Sequence, residues 1–198
     1  MSVDIALVKR LKDLTGVGLT DAKAALEETG GDFDKALSAM RKKGLTKAEK
    51  RSERVASAGM IGTYNHDNRI GVIVEVNCET AFVARNELFT NLVKDLAMQI
   101  AASSPEYVSI QDVPEMVRQK ISAEFSEAAQ TGNKPAEIVK KIVEGQVTKY
   151  FAERCLLDQP FIKNPDQTVG EYIKEHMARL GENIVVRRFS RLALGEVV

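Results

Sequence analysis

The chain lacks most of what marks a reactive centre or a strongly charged surface. Lys+Arg and Asp+Glu number 28 each, so no net field draws it to nucleic acid or to an anionic membrane. No run of about 18 apolar residues occurs, which excludes a transmembrane helix. The opening "MSVDIALVKRLKD" carries charge from Asp4 onward and has neither an apolar signal core nor a cleavage site, so a cytoplasmic protein is expected. Cysteines are few, Cys78 and Cys155, in no metal-ligand spacing, and buried thiols are expected rather than a disulfide. The two histidines are His66, in a hairpin turn, and His176, expected at a surface or interface. Neither neighbours a nucleophile motif. Walker, GxGxxG, HExxH and CxxC patterns are missing. "TGVGLTDAK" has two glycines before a helix, but it joins two helices and fits neither phosphate-cradling spacing. Glu27-Glu28 reads as solvated charge. The expectation is a protein with no catalytic residue, cofactor or metal, not an enzyme, whose activity lies in its surfaces.

What is present is ordinary globular composition over 198 residues, 44% hydrophobic and 28% charged. Three short helices are expected in residues 1–44. The first carries Ile5, Val8, Leu11 and either Leu7 or Leu14 at helical spacing; Thr20 should cap the second and Asp32 the third. Residues 45–59, "LTKAEKRSERVASAG", are charged and small, and read as a linker. In 60–198 the period first becomes two: "MIGTYN" and "RIGVIVEVN" flank the turn cluster "HDN", predicting a β-hairpin in which Gly62 and Gly71 permit a bend or a close approach. Leu88, Leu92, Leu96 and Ile100, with Phe89 and Val93, then mark a helix. Pro105 and Pro114 bracket a loop with a short helical turn. Helices follow over "PEMVRQKISAEFSEAAQTG" and "PAEIVKKIVEGQVTKYFAERCLL", then a proline-punctuated loop "DQPFIKNPDQ", a last helix "TVGEYIKEHMARLG", and a strand "ENIVVRRFSRLAL". The fold class expected is α+β: a small helical head, a linker, and a core with an antiparallel sheet packed by helices.

Two apolar features stand out. "NCETAFVARNE" places Ala81-Phe82-Val83 at a strand-to-helix corner, where polar turn residues are usual. On composition alone Phe82 is expected to fold beneath the following helix. Val17 and Leu19, on the turn in "TGVGLTDAK", either complete the three-helix core or face outward. The basic stretch "VVRRFSR" reads as a solvent-facing edge rather than an RNA surface, with Phe189 its only interleaved aromatic.

These stretches resemble a known family. "VKRLKDLTGVGLTDAKAALEETGGDFDKALSAMRKKG" is similar to the N-terminal ubiquitin-associated-like domain of the elongation factor Ts family. "NCETAFVARNE" resembles its core signature, and "LLDQPFIKNPDQTV" and "GENIVVRRF" resemble later segments. The resemblance runs from Val3 to about Leu194. It implies a guanine-nucleotide exchange factor that binds elongation factor Tu in its GDP form and promotes GDP release during translation elongation. The head would dock on the nucleotide-binding domain of Tu, and a core Phe would wedge into the same domain and disturb its magnesium site and phosphate loop. Thr80, Phe82 and Val83 match the signature and Asn77, Cys78, Arg85 and Asn86 its flanks, whereas Ala81 stands where the family has Asp. In the head Leu11, Gly16, Gly18, Asp21 and Lys23 match, while Leu19 and Thr20 stand where many members have two methionines. The partner-binding set so implied is Thr80, Ala81, Phe82, Val83, Arg85, Asn86, Leu11, Gly16, Val17, Gly18 and Leu19. An exposed ring is costly to the free protein, so the wedge role turns the expectation for Phe82 from burial to exposure. The short length resembles members that dimerise, implying a homodimer; Ser190 replaces a cysteine that some of them carry, so no disulfide is needed there. Direct nucleic-acid and membrane contacts are not expected. The competing readings are an adaptor of the ubiquitin-associated-like type and an RNA-binding factor using Arg187, Arg188 and Arg191.

Overall fold

A computed structural model of the chain describes residues 3–15, 17–40, 51–129 and 136–196. Helix α1 spans Ile5–Thr15, α2 Leu19–Glu28 and α3 residues 33–40. Val8, Leu11, Ala22, Leu26, Ala36 and Met40 are buried together, a core separate from the rest of the molecule. Helices this short depend on such mutual packing. Leu7 packs against that cluster, whereas Leu14 and Ile5 face outward, so Leu7 rather than Leu14 completes the stripe and Ile5 leaves it. Thr20 does not cap α2. The helix begins two residues earlier, with Gly18 extended at the cap position and no side-chain cap; Asp21 in the first turn supplies the favourable charge. Asp32 does cap α3, its Oδ1 accepting the Lys35 N–H at 3.1 Å. Residues 41–44 of the head and linker residues 45–50 lie outside the described residues.

The rest is α+β. Strands β1 (Ala58–His66), β2 (Ile70–Cys78) and β5 (Ile184–Ala193) form an antiparallel sheet with β2 in the middle. The β1–β2 turn closes through the Arg69 N–H and the His66 carbonyl at 2.9 Å, with Asp67 and Asn68 at positive φ, which these residue types tolerate. The strand therefore runs through His66, into the expected turn cluster. Helix α4 (Ala81–Ala84) fills the corner, and α5 (Glu87–Ser103) lies across one sheet face, burying Phe89, Leu92, Val93, Leu96 and Ile100 against Val72, Val74 and Val76. Gly62 permits this approach: a Cβ there would stand 2.3 Å from Val93 Cγ1. Around Gly71 there is open space, so no close approach explains that glycine.

A 3₁₀ turn at Ile110–Asp112 occupies the loop between the prolines. Helices α6 (Glu115–Ala129) and α7 (Ala136–Ala152) pack together over a small cluster of Val113, Ile121, Phe151 and Cys155. Helix α7 stops before Glu153, short of the expected end, because Cys155 already turns into a second 3₁₀ turn at Leu156–Asp158. The proline-punctuated segment is not irregular throughout: β3 (Pro160–Phe161) and β4 (Asn164–Thr168) pair as a small second sheet. Helix α8 (Val169–Leu180) starts at a capping box, Thr168 with Glu171, and ends at Gly181 with φ 79°.

Inside α8 the expectation for His176 fails. The ring is buried, hydrogen-bonded to the Tyr172 carbonyl at 2.9 Å, edge-on to the Tyr172 ring. Tyr172 in turn stacks on Phe161 and bonds Asp95 at 2.8 Å. Burial holds the His176 pKa below the usual histidine value.

Candidate partner-binding site

The corner is built from two consecutive caps. β2 ends at Cys78, whose thiol donates to the Thr80 carbonyl at 3.2 Å. Thr80 is extended, and its hydroxyl accepts the Val83 N–H at 3.3 Å, opening the four-residue helix α4. Asn86 closes it, donating to the Val83 carbonyl at 2.9 Å, and then opens α5 by accepting the Leu88 N–H at 2.8 Å. Neighbouring helical residues point about 100° apart, which at this outer corner lets Val83 face inward while Phe82 faces outward. Val83 is buried in the main core, while Phe82 is 81% exposed. The plain-burial expectation from composition is thereby overturned. Ala81, at the first position of α4, and Arg85 are also solvent-accessible.

Sequence reading missed the groups that hold this corner. Glu182, in the turn between α8 and β5, accepts the N–H groups of Glu79 and Thr80 at 3.0 Å each and the Thr80 hydroxyl at 2.6 Å. The sequence offers no signal for this, because the partners are more than 100 positions apart. The Cys78 thiol is pushed up in pKa first by burial, then by the charges of Glu182 and Glu79, so it is inert rather than nucleophilic. Cys155 is likewise raised, to about 11, chiefly by burial. Both thiols are buried and unpaired, as expected.

In the head, Leu19 is 54% exposed and Val17 half-buried against the three-helix core. The turn thus divides the two apolar residues, one outward and one inward. Leu11 is fully buried and supports the turn rather than facing a partner. Gly18 precedes α2, and Gly16 lies outside the described residues. Ile5 and Leu14, which helical spacing offers to the core stripe, join Leu19 as exposed apolar residues of the head.

Elsewhere, a cleft of about 370 Å³ between α8 and β5 is floored by Ile173, Met177 and Val186 and rimmed by Lys174 and Arg187, with no histidine or cysteine among its walls. Among the described residues no group of three or more His, Cys, Asp and Glu could hold a metal ion. No helix there is long and apolar enough to cross a membrane. Arg188 bonds Glu75 at 2.8 Å and Arg191 bonds Glu196 at 2.6 Å, so two of the three arginines of β5 are already paired with carboxylates.

The elongation factor Ts family model matches residues 22–196, which include the whole corner. The chain belongs to the elongation factor Ts family. It is 49% identical over 196 residues to elongation factor Ts of Thermodesulfovibrio yellowstonii, covering 99% of this chain and 98% of the relative. Elongation factor Ts of Geotalea uraniireducens is 51% identical over 197 residues, 99% of this chain and 91% of that one. That of Coprothermobacter proteolyticus is 49% identical over 197 residues, 99% of this chain and the relative's full length. Members of this family are elongation factors of protein biosynthesis, and this chain is one of them.

Proposed function

We propose that this elongation factor Ts family member binds elongation factor Tu in its GDP form and promotes GDP release, with Phe82 as a wedge and the head as a docking module. The observation that carries the reading is the outward ring of Phe82 beside the buried Val83. A factor that speeds release must hold the nucleotide-free or distorted GTPase better than the GDP-bound one, and the coupling is reciprocal. About 4 kcal/mol of differential binding suffices for a roughly thousandfold effect. Burying a Phe ring contributes about 1.5–3 kcal/mol of this, and disturbance of the magnesium site of Tu would supply the remainder. No nucleophile, base or metal on this chain is required.

The contact surface is then Phe82 with Thr80, Ala81, Arg85 and Asn86 around it, and Leu19 with the exposed Gly18 on the head, with Val83, Leu11 and Val17 shaping those surfaces from within. Ala81 offers neither charge nor acceptor where the family resemblance implies Asp, so exchange proceeds through the ring with a weaker polar contribution. Mixing the protein with Tu loaded with fluorescent GDP tests the function. Release well above the spontaneous rate is expected; release at the spontaneous rate contradicts it and leaves the adaptor reading.

The homodimer belongs to the same proposal. The sheet face turned away from α5 carries Ile61, Ile73, Val185 and Leu192, all exposed, an apolar set of the kind that marks a protein interface. Ser190 lies on this face opposite Ile73, so two such faces would meet without a disulfide at that position.

A further inference from the structure

A four-residue helix has no stability of its own, and its first N–H groups have no intrahelical acceptor. Something outside α4 must therefore fix where Phe82 points. The Glu182 carboxylate is that group. One oxygen takes both the Glu79 and Thr80 N–H groups, and the other takes the Thr80 hydroxyl proton. With its proton directed at Glu182, the hydroxyl keeps a lone pair for the Val83 N–H. A chain of hydrogen bonds thus runs from Glu182 through Thr80 to the residue next to Phe82.

The tie is reciprocal. Glu79 Oε1 accepts the Asn183 N–H at 2.6 Å and stands 3.5 Å from the Arg54 guanidinium. Asn183, almost fully buried, donates its side-chain amide to the Ser52 carbonyl at 3.2 Å and the Arg54 carbonyl at 2.6 Å. The α8–β5 turn, the β2–α4 corner and the chain entering from the head side meet at this one node. Glu182 comes directly after Gly181, at the end of α8. A carboxylate is disfavoured there by the partial negative charge of its own helix terminus, so three donors from the corner are what hold it in place.

We infer that Glu182 is the positioning residue of the Phe82 corner, pre-organising the ring for its pocket on the partner. The inference rests on the wedge reading above. A ring already aimed need not be ordered at the moment of binding, and that saving appears in affinity.

The test is a double-mutant cycle in the GDP-release assay, using the full chain and Glu182→Ala, Glu182→Gln, Phe82→Ala and the combined Glu182→Ala/Phe82→Ala variant. Glu182→Ala is expected to lower the ratio of maximal rate to half-saturating concentration about tenfold, the scale of a lost charge-assisted hydrogen bond. Glu182→Gln keeps one carbonyl acceptor and should retain part of the rate; it also carries the test should the alanine variant not fold. In the Phe82→Ala background, Glu182→Ala should cost less than about twofold, because the ring it aims is gone. Amide exchange at Glu79, Thr80 and Val83 should quicken in Glu182→Ala. An equal loss in both backgrounds overturns the inference, as does unchanged exchange in Glu182→Ala when Phe82→Ala is slow. Should Phe82→Ala itself leave the rate intact, the wedge reading fails, while unchanged amide protection in Glu182→Ala would separately dismiss the clamp.

Discussion

Phe82 and Val83 are adjacent in sequence and opposite in fate, and the difference comes from a single turn of helix. Composition cannot assign them, since both are apolar and either could serve the core. What assigns them is the Thr80 cap, which sets the phase of α4 and turns Val83 inward. His176 departs from expectation for a related reason: its polar ring belongs to an amphipathic helix, yet it falls on the buried face beside Tyr172. There burial dominates its titration, opposed by the hydrogen bond to the Tyr172 carbonyl and the charge of Asp95, and reinforced by Arg179. The folded-state pKa is depressed, so the unfolded chain takes the proton first. Stability should be level above pH ~7 and fall as pH drops through roughly 6.5, the unfolded value. Urea midpoints at about pH 7.5 and 5.5 check this, and His176→Gln should show a smaller difference between them.

At the scale of elements, helices with a clear apolar stripe and a capping residue were legible in the sequence. Helix α5, with Asn86 before it and a buried line from Phe89 to Ile100, is the plainest example. Strand β5 was legible in extent but not in phase. Ile184 and Val186 face the core at a spacing of two, whereas Phe189 breaks the alternation and still packs on that face. A bulge explains it: Glu75 pairs with Arg188 and Val76 with Val186, so Arg187 is the extra residue and puts the rest of the strand one position out of phase. The β3–β4 hairpin was hidden by Pro160 and Pro165, which read as loop punctuation and here fall in short strands. Helix α8 depends on its start, where Thr168 Oγ1 accepts the Glu171 N–H at 3.1 Å and Glu171 Oε2 accepts the Thr168 N–H at 2.9 Å. Thr168→Ala should cost about 1 kcal/mol, seen as a lower urea midpoint with an unchanged slope.

For the molecule as a whole, family and fold class were readable because four ordered motifs span nearly the full chain. The node of Glu79, Glu182, Asn183 and Arg54 was not, since it is made only when distant segments meet. The bare sheet face was also invisible, because β5 had to be placed beside β2 before Ile73 and Leu192 could share a surface. If that face joins two copies, Ile73→Lys should convert a dimer to a monomer by sedimentation while leaving the fold intact. A wild-type protein already monomeric at micromolar concentration would dismiss the dimer without touching the exchange reading.

In the proposed reaction the exposed ring of Phe82 does the work of exchange. Phe82→Ala removes the ring and leaves the buried Val83 untouched, and a surface truncation of this kind moves stability by only about 0.5 kcal/mol. The rate of fluorescent GDP release from elongation factor Tu, measured alongside the thermal midpoint of the variant, is the most direct test. Release slower by at least about tenfold is expected, the loss of roughly 1.4 kcal/mol of ring burial, at an unchanged midpoint. Wild-type release rates in Phe82→Ala would contradict it.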